Sequence, residues 1–299
     1  MPEVPIAGPQ VSGTVGAMIL ITGATGTIGS EVVRLLAAKG EQVRAMTRRP
    51  SRIEDQPGVE VARGDFGDHD SLAEAANGAG ILFLLSAGPW IVQHDEAMLA
   101  TARAAGVRKV VKLSAIGTGE QTGASVGDWH LPGEQALRSS GMAWTVLRPS
   151  SFASNALRWA AAIRSGDPVP NTTGTGVQGV IDPRDVAEVA VRALTSEDHA
   201  YSVLTLTGPE LLSVPDMAAQ LGDILGRTLQ TIDVPFDAYR EQMLAAGIDP
   251  AFAEVAVNGS RRVAQGGNAR LTDEVQAVLG RPPRTFRDWA HDHRDAFAS

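Results

Sequence analysis

Short apolar runs alternate with helical patterns through the first half of the chain. Met18–Thr22 reads as a strand, and Ile28–Lys39 carries apolar residues at 28, 32, 33, 35 and 36, one face of a helix that ends at Gly40. Gln42–Thr47 and Val59–Ala62 read as strands, Asp70–Asn77 as a helix and Ile81–Leu85 as a fully apolar strand. A helix is predicted over Asp95–Ala105, stopped by Gly106, then a strand over Arg108–Ser114, a helix over His130–Ser140 and a strand over Ala143–Leu147. Apolar strands separated by helices predict a parallel sheet covered on both faces. The fold class is therefore α/β, a doubly wound Rossmann sheet whose strand C-terminal ends line one ligand-binding edge.

Past Pro149 the pattern changes. Ser151–Ser165 reads as a helix, residues 166–176 as a loop rich in Gly, Pro and Thr, and Val177–Ile181 as a strand. Asp182-Pro183 looks like an N-cap followed by proline in the first turn of a helix that runs to Leu194. Ser202–Leu206 predicts a strand returning to the main sheet, Ser213 caps a helix to Leu225, and Thr231–Val234 is a short strand ahead of mostly helical sequence. The expected organisation is an extension at 1–17, poorly ordered; a Rossmann domain at 18–165 with the returning strand at 202–206; and a smaller, mainly helical lobe at 166–299 that covers the strand ends. The loops at 86–94 and 120–132, with that lobe, look built to enclose a small molecule.

Composition narrows the function classes. Cysteine is absent from the 299 residues, which excludes disulfides, thiolate catalysis and Cys-based metal sites. The net charge is −8 with no polybasic run, so nucleic acid is not an expected partner. The most apolar stretch, Ile81–Leu85, is far short of the roughly 20 residues a spanning helix needs. Residues 1–17 lack the basic start and long apolar core of a signal peptide. A cytoplasmic monomer or homodimer without membrane contact is the expectation.

The candidate chemistry begins at Gly23, Gly26 and Gly29, set between the first strand and the first helix. Gly23 allows a tight turn, Gly26 lets backbone approach a phosphate, and Gly29 lets the helix pack close to the strand. The helix N-terminus then offers free N–H groups to a dinucleotide pyrophosphate. The second strand ends in Thr47-Arg48-Arg49, where an NAD site usually has an acid for the ribose. A guanidinium pairs well with the 2′-phosphate of NADP, so NADPH is the preferred cofactor, with NAD possible; the alternative is two solvated arginines. Asp65 either accepts from an adenine amino group, with Phe66 beside it, or bonds its own backbone in a turn. Ser86 and Ala87 are small enough for the chain to approach the cofactor ribose, and Trp90 stands at the substrate entrance or simply packs.

The chain resembles the atypical short-chain dehydrogenases, in particular the NmrA-like group of NAD(P)H-binding proteins. The resemblance is carried by Gly23-Ala-Thr-Gly26-Thr-Ile-Gly29, Arg48-Arg49, Gly64-Asp65-Phe66, Val110-Val-Lys-Leu-Ser114, Trp144-Thr-Val-Leu-Arg-Pro149-Ser-Ser-Phe-Ala-Ser-Asn155 and Asp182-Pro-Arg-Asp185. It implies that Ala24, Thr25, Thr27 and Ile28 line the pyrophosphate, that Pro149, Ser150 and Phe152 flank the nicotinamide, and that Ser114 lies beside the reacting carbon, where it either holds a substrate oxygen or merely caps the strand end. Orthodox relatives use a Tyr-x-x-x-Lys pair, but neither Tyr201 nor Tyr239 falls in that place. His130 stands there instead, with Glu134 four residues on, one helical turn away. A carboxylate so placed would raise the histidine pKa and make a general acid near neutrality; the other reading is a polar helix start. Trp90, Trp129, Phe152, Asn155 and Trp159 are candidate pocket walls, for which a small, hydrophobic aromatic substrate is the natural partner; for Trp159 a core position fits better. His291 and His293 alternate on a helix and so do not make a metal site. The expected function is an NADPH-dependent reductase of a hydrophobic carbonyl, a quinone or polycyclic aromatic ketone. A non-catalytic redox sensor acting through a protein partner is the alternative, and a sugar-nucleotide epimerase a third that would need the missing tyrosine.

Overall fold

Strand β1 (Met18–Ile21) lies inside a seven-stranded, wholly parallel sheet. The computed structural model describes residues 16–120 and 126–298, so most of the expected extension and part of the 120–132 loop lie outside the described residues. The sheet is built from β2 (Val43–Thr47), β3 (Val59–Arg63), β4 (Ala79–Leu84), β5 (Lys109–Leu113), β6 (Ala143–Pro149) and β9 (Ser202–Leu206), in the order β3-β2-β1-β4-β5-β6-β9. The connections run through α1 (Thr27–Ala38), α2 (His69–Ala76), α3 (Ile91–Ala104), α4 (Val126–Arg138) and, between β6 and β9, α6 (Pro183–Thr195). The order reverses between β1 and β4, and such a switch point opens a crevice at the strand C-terminal ends.

Alternation along each strand feeds two cores. Ile19, Ile21, Val43, Ala45, Phe83, Val111 and Leu147 pack under α1 and α6. Leu20, Met46, Leu82, Leu84, Val110 and Val146 pack under α2, α3 and α4. Each fully buried aliphatic side chain contributes about 1.5–3 kcal/mol before entropy is counted. A third core lies within the C-terminal lobe, around Phe286, Trp289 and Phe297. That lobe comprises α5 (Ala160–Ser165), β7 (Val169–Asn171), β8 (Gln178–Gly179), β10 (Leu211–Leu212), α7 (Val214–Leu225), β11 (Thr231–Asp233), α8 (Phe236–Ala245), α9 (Pro250–Ala264), α10 (Glu274–Leu279) and α11 (Phe286–Asp292). Helices α6 and α10 depart from the expected division: α6 and Val275 of α10 belong to the sheet's first core, not to the third.

Several elements differ from the sequence expectation. Helix α3 starts four residues early, directly after Trp90, and α4 starts before His130, at Val126. Pro132 therefore sits inside α4, where it removes one backbone hydrogen bond without ending the helix. The helix expected over Ser151–Ser165 is a 3-10 helix at Ala153–Trp159 followed by α5. The expected loop at 166–176 contains β7, which pairs in parallel with β11, and only Gln178–Gly179 of the strand expected at 177–181 pairs, antiparallel to β10. Among the described residues no helix is long and apolar enough to cross a membrane.

Candidate active site

The crevice is built first from backbone. Thr22, buried at the end of β1, donates to Leu85 O at 3.0 Å and accepts from Leu85 N at 2.7 Å, tying together the two strands of the switch point. Gly23 then turns with φ +62°, a left-handed conformation that glycine adopts without strain. A Cβ on Gly29 would fall on the carbonyl oxygen of Gly23, so only glycine lets α1 start this close to the turn. Gly26 caps α1 without a side-chain hydrogen bond, which leaves the first N–H groups of the helix available to an anion. These features fit a dinucleotide pyrophosphate. Thr25 and Thr27 are exposed at this cradle, whereas the Ile28 side chain is buried in the first core and has only its main chain to offer.

At the adenosine end, Arg48 and Arg49 are exposed just past β2, and neither is in an ion pair among the described residues. Asp65 takes the turn role: its Oδ1 accepts from Gly67 N at 3.0 Å. Phe66 stacks on His94, with ring centroids 4.6 Å apart. Burial lowers the His94 pKa, Asp95 and Asp65 oppose that shift, and the Arg48 charge reinforces it. Ser86 is buried and donates to Asp95 Oδ1 at 2.6 Å, while Ala87 is exposed.

Lys112 and Ser114 lie two apart on β5 and at its end, on the side covered by α3 and α4. Ser114 is buried, donates to Glu134 Oε1 at 2.6 Å and lies 3.1 Å from the Thr118 hydroxyl. Glu134 is taken by Arg148, which donates to both of its oxygens at 2.9 and 2.6 Å, and by Arg138 at 3.2 Å. His130, also buried, meets Lys112 instead: Nζ stands 3.4 Å from Nδ1. Behind it Lys112 donates to Asp95 Oδ2 at 2.5 Å, and both residues are fully buried.

The expected effect of Glu134 on His130 is thereby overturned. Desolvation, reinforced by the Lys112 charge, pushes the His130 pKa down from 6.5 to about 3. The imidazole is neutral at physiological pH and is no imidazolium acid. Asp95 and Lys112 were not among the residues singled out from the sequence. The available signal was a lysine at an inward position of the apolar strand Val110-Val-Lys-Leu, because buried ammonium groups need a partner.

Beyond β6, Ser150 donates its N–H to Leu206 O at 2.8 Å, and its buried hydroxyl has no hydrogen-bond partner among the described residues. Pro149 closes β6 beside it. Phe152 packs at the edge of the first core, and Asn155 is held by Ser151 at 3.3 Å and Arg158 at 2.8 Å. Trp159 joins the core of the C-terminal lobe, and Trp90 is 61% exposed. Of the expected aromatic walls, Trp129 is in a ring pair, with Phe252 of α9 6.2 Å away, and Trp90, Phe152 and Trp159 are in none among the described residues. Glu120 ties the segment after β5 to α9 through Arg262 and lies 3.1 Å from Arg270. Arg262 chiefly holds the Glu120 carboxyl below its usual range. No group of three or more His, Asp or Glu that could hold a metal ion occurs among the described residues.

Comparison with known proteins agrees with the cradle. A family model described as NAD(P)H-binding matches residues 23–197. The (4-alkanoyl-5-oxo-2,5-dihydrofuran-3-yl)methyl phosphate reductase of Streptomyces griseus is 41% identical over 283 residues, covering 94% of this chain and 99% of that one. The NAD(P)H azoreductase of Xenophilus azovorans is 35% identical over 286 residues, 94% of this chain and all (100%) of the other. The crystal structure of an Escherichia coli NADPH-dependent quinone oxidoreductase complexed with NADPH superposes with a TM-score of 0.83 at 23% identity, over 92% of this chain and 99% of its own.

Proposed function

The chain belongs to the NAD(P)H-binding family of oxidoreductases among the atypical short-chain dehydrogenases, and within it we propose an NADPH-dependent reductase of a hydrophobic, conjugated carbonyl, a quinone first. The observation that carries this reading is the neutral His130 in the place where orthodox relatives hold an acid. A group that donates a hydrogen bond without giving up its proton suits an acceptor whose own conjugation spreads the developing charge. Azo compounds and alkanoyl-oxo-dihydrofurans, named for the two similar reductases, are also unsaturated acceptors conjugated to electron-withdrawing groups.

A dinucleotide held here would supply the hydride, from C4 of its nicotinamide. The protein binds and orients. The α1 N-terminus would hold the pyrophosphate, and Arg48 and Arg49 would pair with the 2′-phosphate, which would set the preference for NADPH. Pro149 at the end of β6, the unpartnered Ser150 hydroxyl and Phe152 would flank the nicotinamide. His130 donates a hydrogen bond to the acceptor oxygen, with Ser114 and Glu134 fixing the end of β5 below it. The reduced oxygen, stabilised by the aromatic ring it now belongs to, takes its proton from water.

The test mixes purified protein with NADPH or NADH and follows loss of the reduced-nicotinamide absorbance over quinones, aromatic ketones, azo dyes and an acylated butenolide. Oxidation of NADPH by quinones, with His130→Ala lowering kcat about 100-fold at unchanged NADPH affinity, is the expected result. The double change Arg48→Ala/Arg49→Ala should cost NADPH at least about tenfold relative to NADH, the equivalent of one lost charge-assisted contact. Tight cofactor binding with no acceptor turned over would establish the redox sensor instead.

A further inference from the structure

A fully buried ion pair is a costly way to fill a core, since well-packed apolar residues of the same volume serve stability as well or better. Lys112 and Asp95 are such a pair, and the surroundings are shaped to keep them. Ser86 satisfies one Asp95 oxygen. Gly133 lacks the Cβ that would overlap the other, so α4 closes directly onto the carboxylate. Closing there brings His130, three residues earlier on α4, to 3.4 Å from the lysine.

The chemistry across that contact has one sense. An ammonium has donors and no lone pair, so Lys112 Nζ donates and His130 Nδ1 accepts. A neutral imidazole carries one ring proton, which then sits on Nε2. Nε2 has no hydrogen-bond partner among the described residues. Of the carboxylates nearby, Asp95 of α3 is paired with Lys112, and Glu134 of α4 is taken by Arg148 and Arg138.

We infer that Lys112, steadied by Asp95, is a positioning residue that locks His130 into the Nε2–H tautomer and so keeps a permanent hydrogen-bond donor aimed away from the strand. This deepens the proposed function and rests on it only for what the donor meets. Fixing the tautomer removes the population in which Nε2 is a bare acceptor, which would repel a developing oxyanion. The cation that orthodox relatives place on a helix beside their tyrosine is here supplied from β5.

The experiment is a long-range proton–nitrogen correlation spectrum of the full chain labelled with 15N-histidine, recorded across about pH 5 to 8, where an ordinary histidine changes charge. The His130 signals, identified by their loss in His130→Gln, are expected to show a bare, pyridine-like Nδ1 and a protonated, pyrrole-like Nε2 throughout. A protonated Nδ1, averaging between tautomers or titration in that range overturns the lock. In Lys112→Met/Asp95→Leu, which removes both charges and leaves neither stranded, the two tautomers should average and kcat should fall about tenfold with the NADPH KM unchanged. A spectrum unchanged in that variant also overturns it. His130→Gln, whose amide N–H reaches the Nε2 position, should keep about tenfold more turnover than His130→Asn, which reaches only Nδ1. A locked spectrum with wild-type rates in both His130 variants supports the lock and removes His130 from the reaction, so the two ideas fail separately.

Discussion

At the scale of single residues, the site turns on where a proton is not. His130 has an ordinary pKa of 6.5 unfolded and about 3 folded. Between those values the unfolded chain binds a proton that the folded one refuses, so this contribution to stability is complete above about pH 6.5 and is lost as the pH falls toward 3. The melting temperature should therefore fall from pH 7 to 4 by clearly more in the wild type than in His130→Gln, as followed by circular dichroism. Equal falls would mean that His130 is not held neutral. The i, i+4 spacing of His130 and Glu134 was legible and misleading. Such spacing fixes a shared helix face, but not which distant side chains meet it. Arg148, fourteen residues beyond Glu134, captured the carboxylate, and Lys112 met the ring. Both contacts are set by how α4 lies on the sheet, which no local pattern encodes.

At the scale of elements, the junction of β1 and α1 was the most legible part of the chain, because its constraint is local. Three glycines between an apolar run and a helical face have few other uses, and the roles differ among them. A Cβ on Gly29 would meet the rigid carbonyl of Gly23, which cannot rotate away, whereas one on Gly26 would stand at a tolerable 3.4 Å. Gly29→Ala should accordingly destabilise the fold by about 1–3 kcal/mol and weaken NADPH binding at least about tenfold. Gly26→Ala should leave unfolding nearly unchanged. Urea unfolding and a cofactor titration on both variants separate the two, and equal stabilities would contradict the assigned close approach. Less legible were β7, β8, β10 and β11, of two or three residues each, too short to show a period. The β7–β11 pair joins residues some sixty apart and is fastened by Asn171, which donates to Asp233 at 2.7 Å and to Gly174 O at 3.0 Å. Pro132-Gly133, in the first turn of the helix expected from His130, is an interior stretch whose glycine makes room for Asp95.

For the whole molecule, the question is what holds the C-terminal lobe to the sheet. Asp182-Pro-Arg-Asp185 was legible as a helix start, and Asp182 does cap α6, accepting from Arg184 N at 2.8 Å. Asp185 does something the motif did not reveal. Fully buried, it accepts from Arg281 at 2.7 Å, from the Arg284 backbone at 2.7 Å and from the Arg284 guanidinium. Glu188, one turn on, receives the same two arginines at 2.6 and 2.7 Å. Burial pushes the Glu188 carboxyl up, but the two arginines together outweigh it and hold the pKa below 4.5. The clamp joins the chain after α10 to a helix lying on the sheet, so it ties the third core to the first. Asp185→Ala would leave two guanidinium groups, about a third exposed, with Glu188 as their remaining carboxylate partner. The cost should be about 2 kcal/mol, less than for a wholly buried pair because water reaches the arginines. The loss should also be local: the connection from α9 to α10, at residues 265–273 and including Arg270, should become open to trypsin before the sheet unfolds. Limited proteolysis followed by mass analysis, set beside the unfolding midpoint, tests both. A variant as stable and as protected as the wild type would mean that the third core alone carries the docking. Early cleavage with NADPH binding intact would mark the sheet as the part that holds the cofactor without help from the lobe.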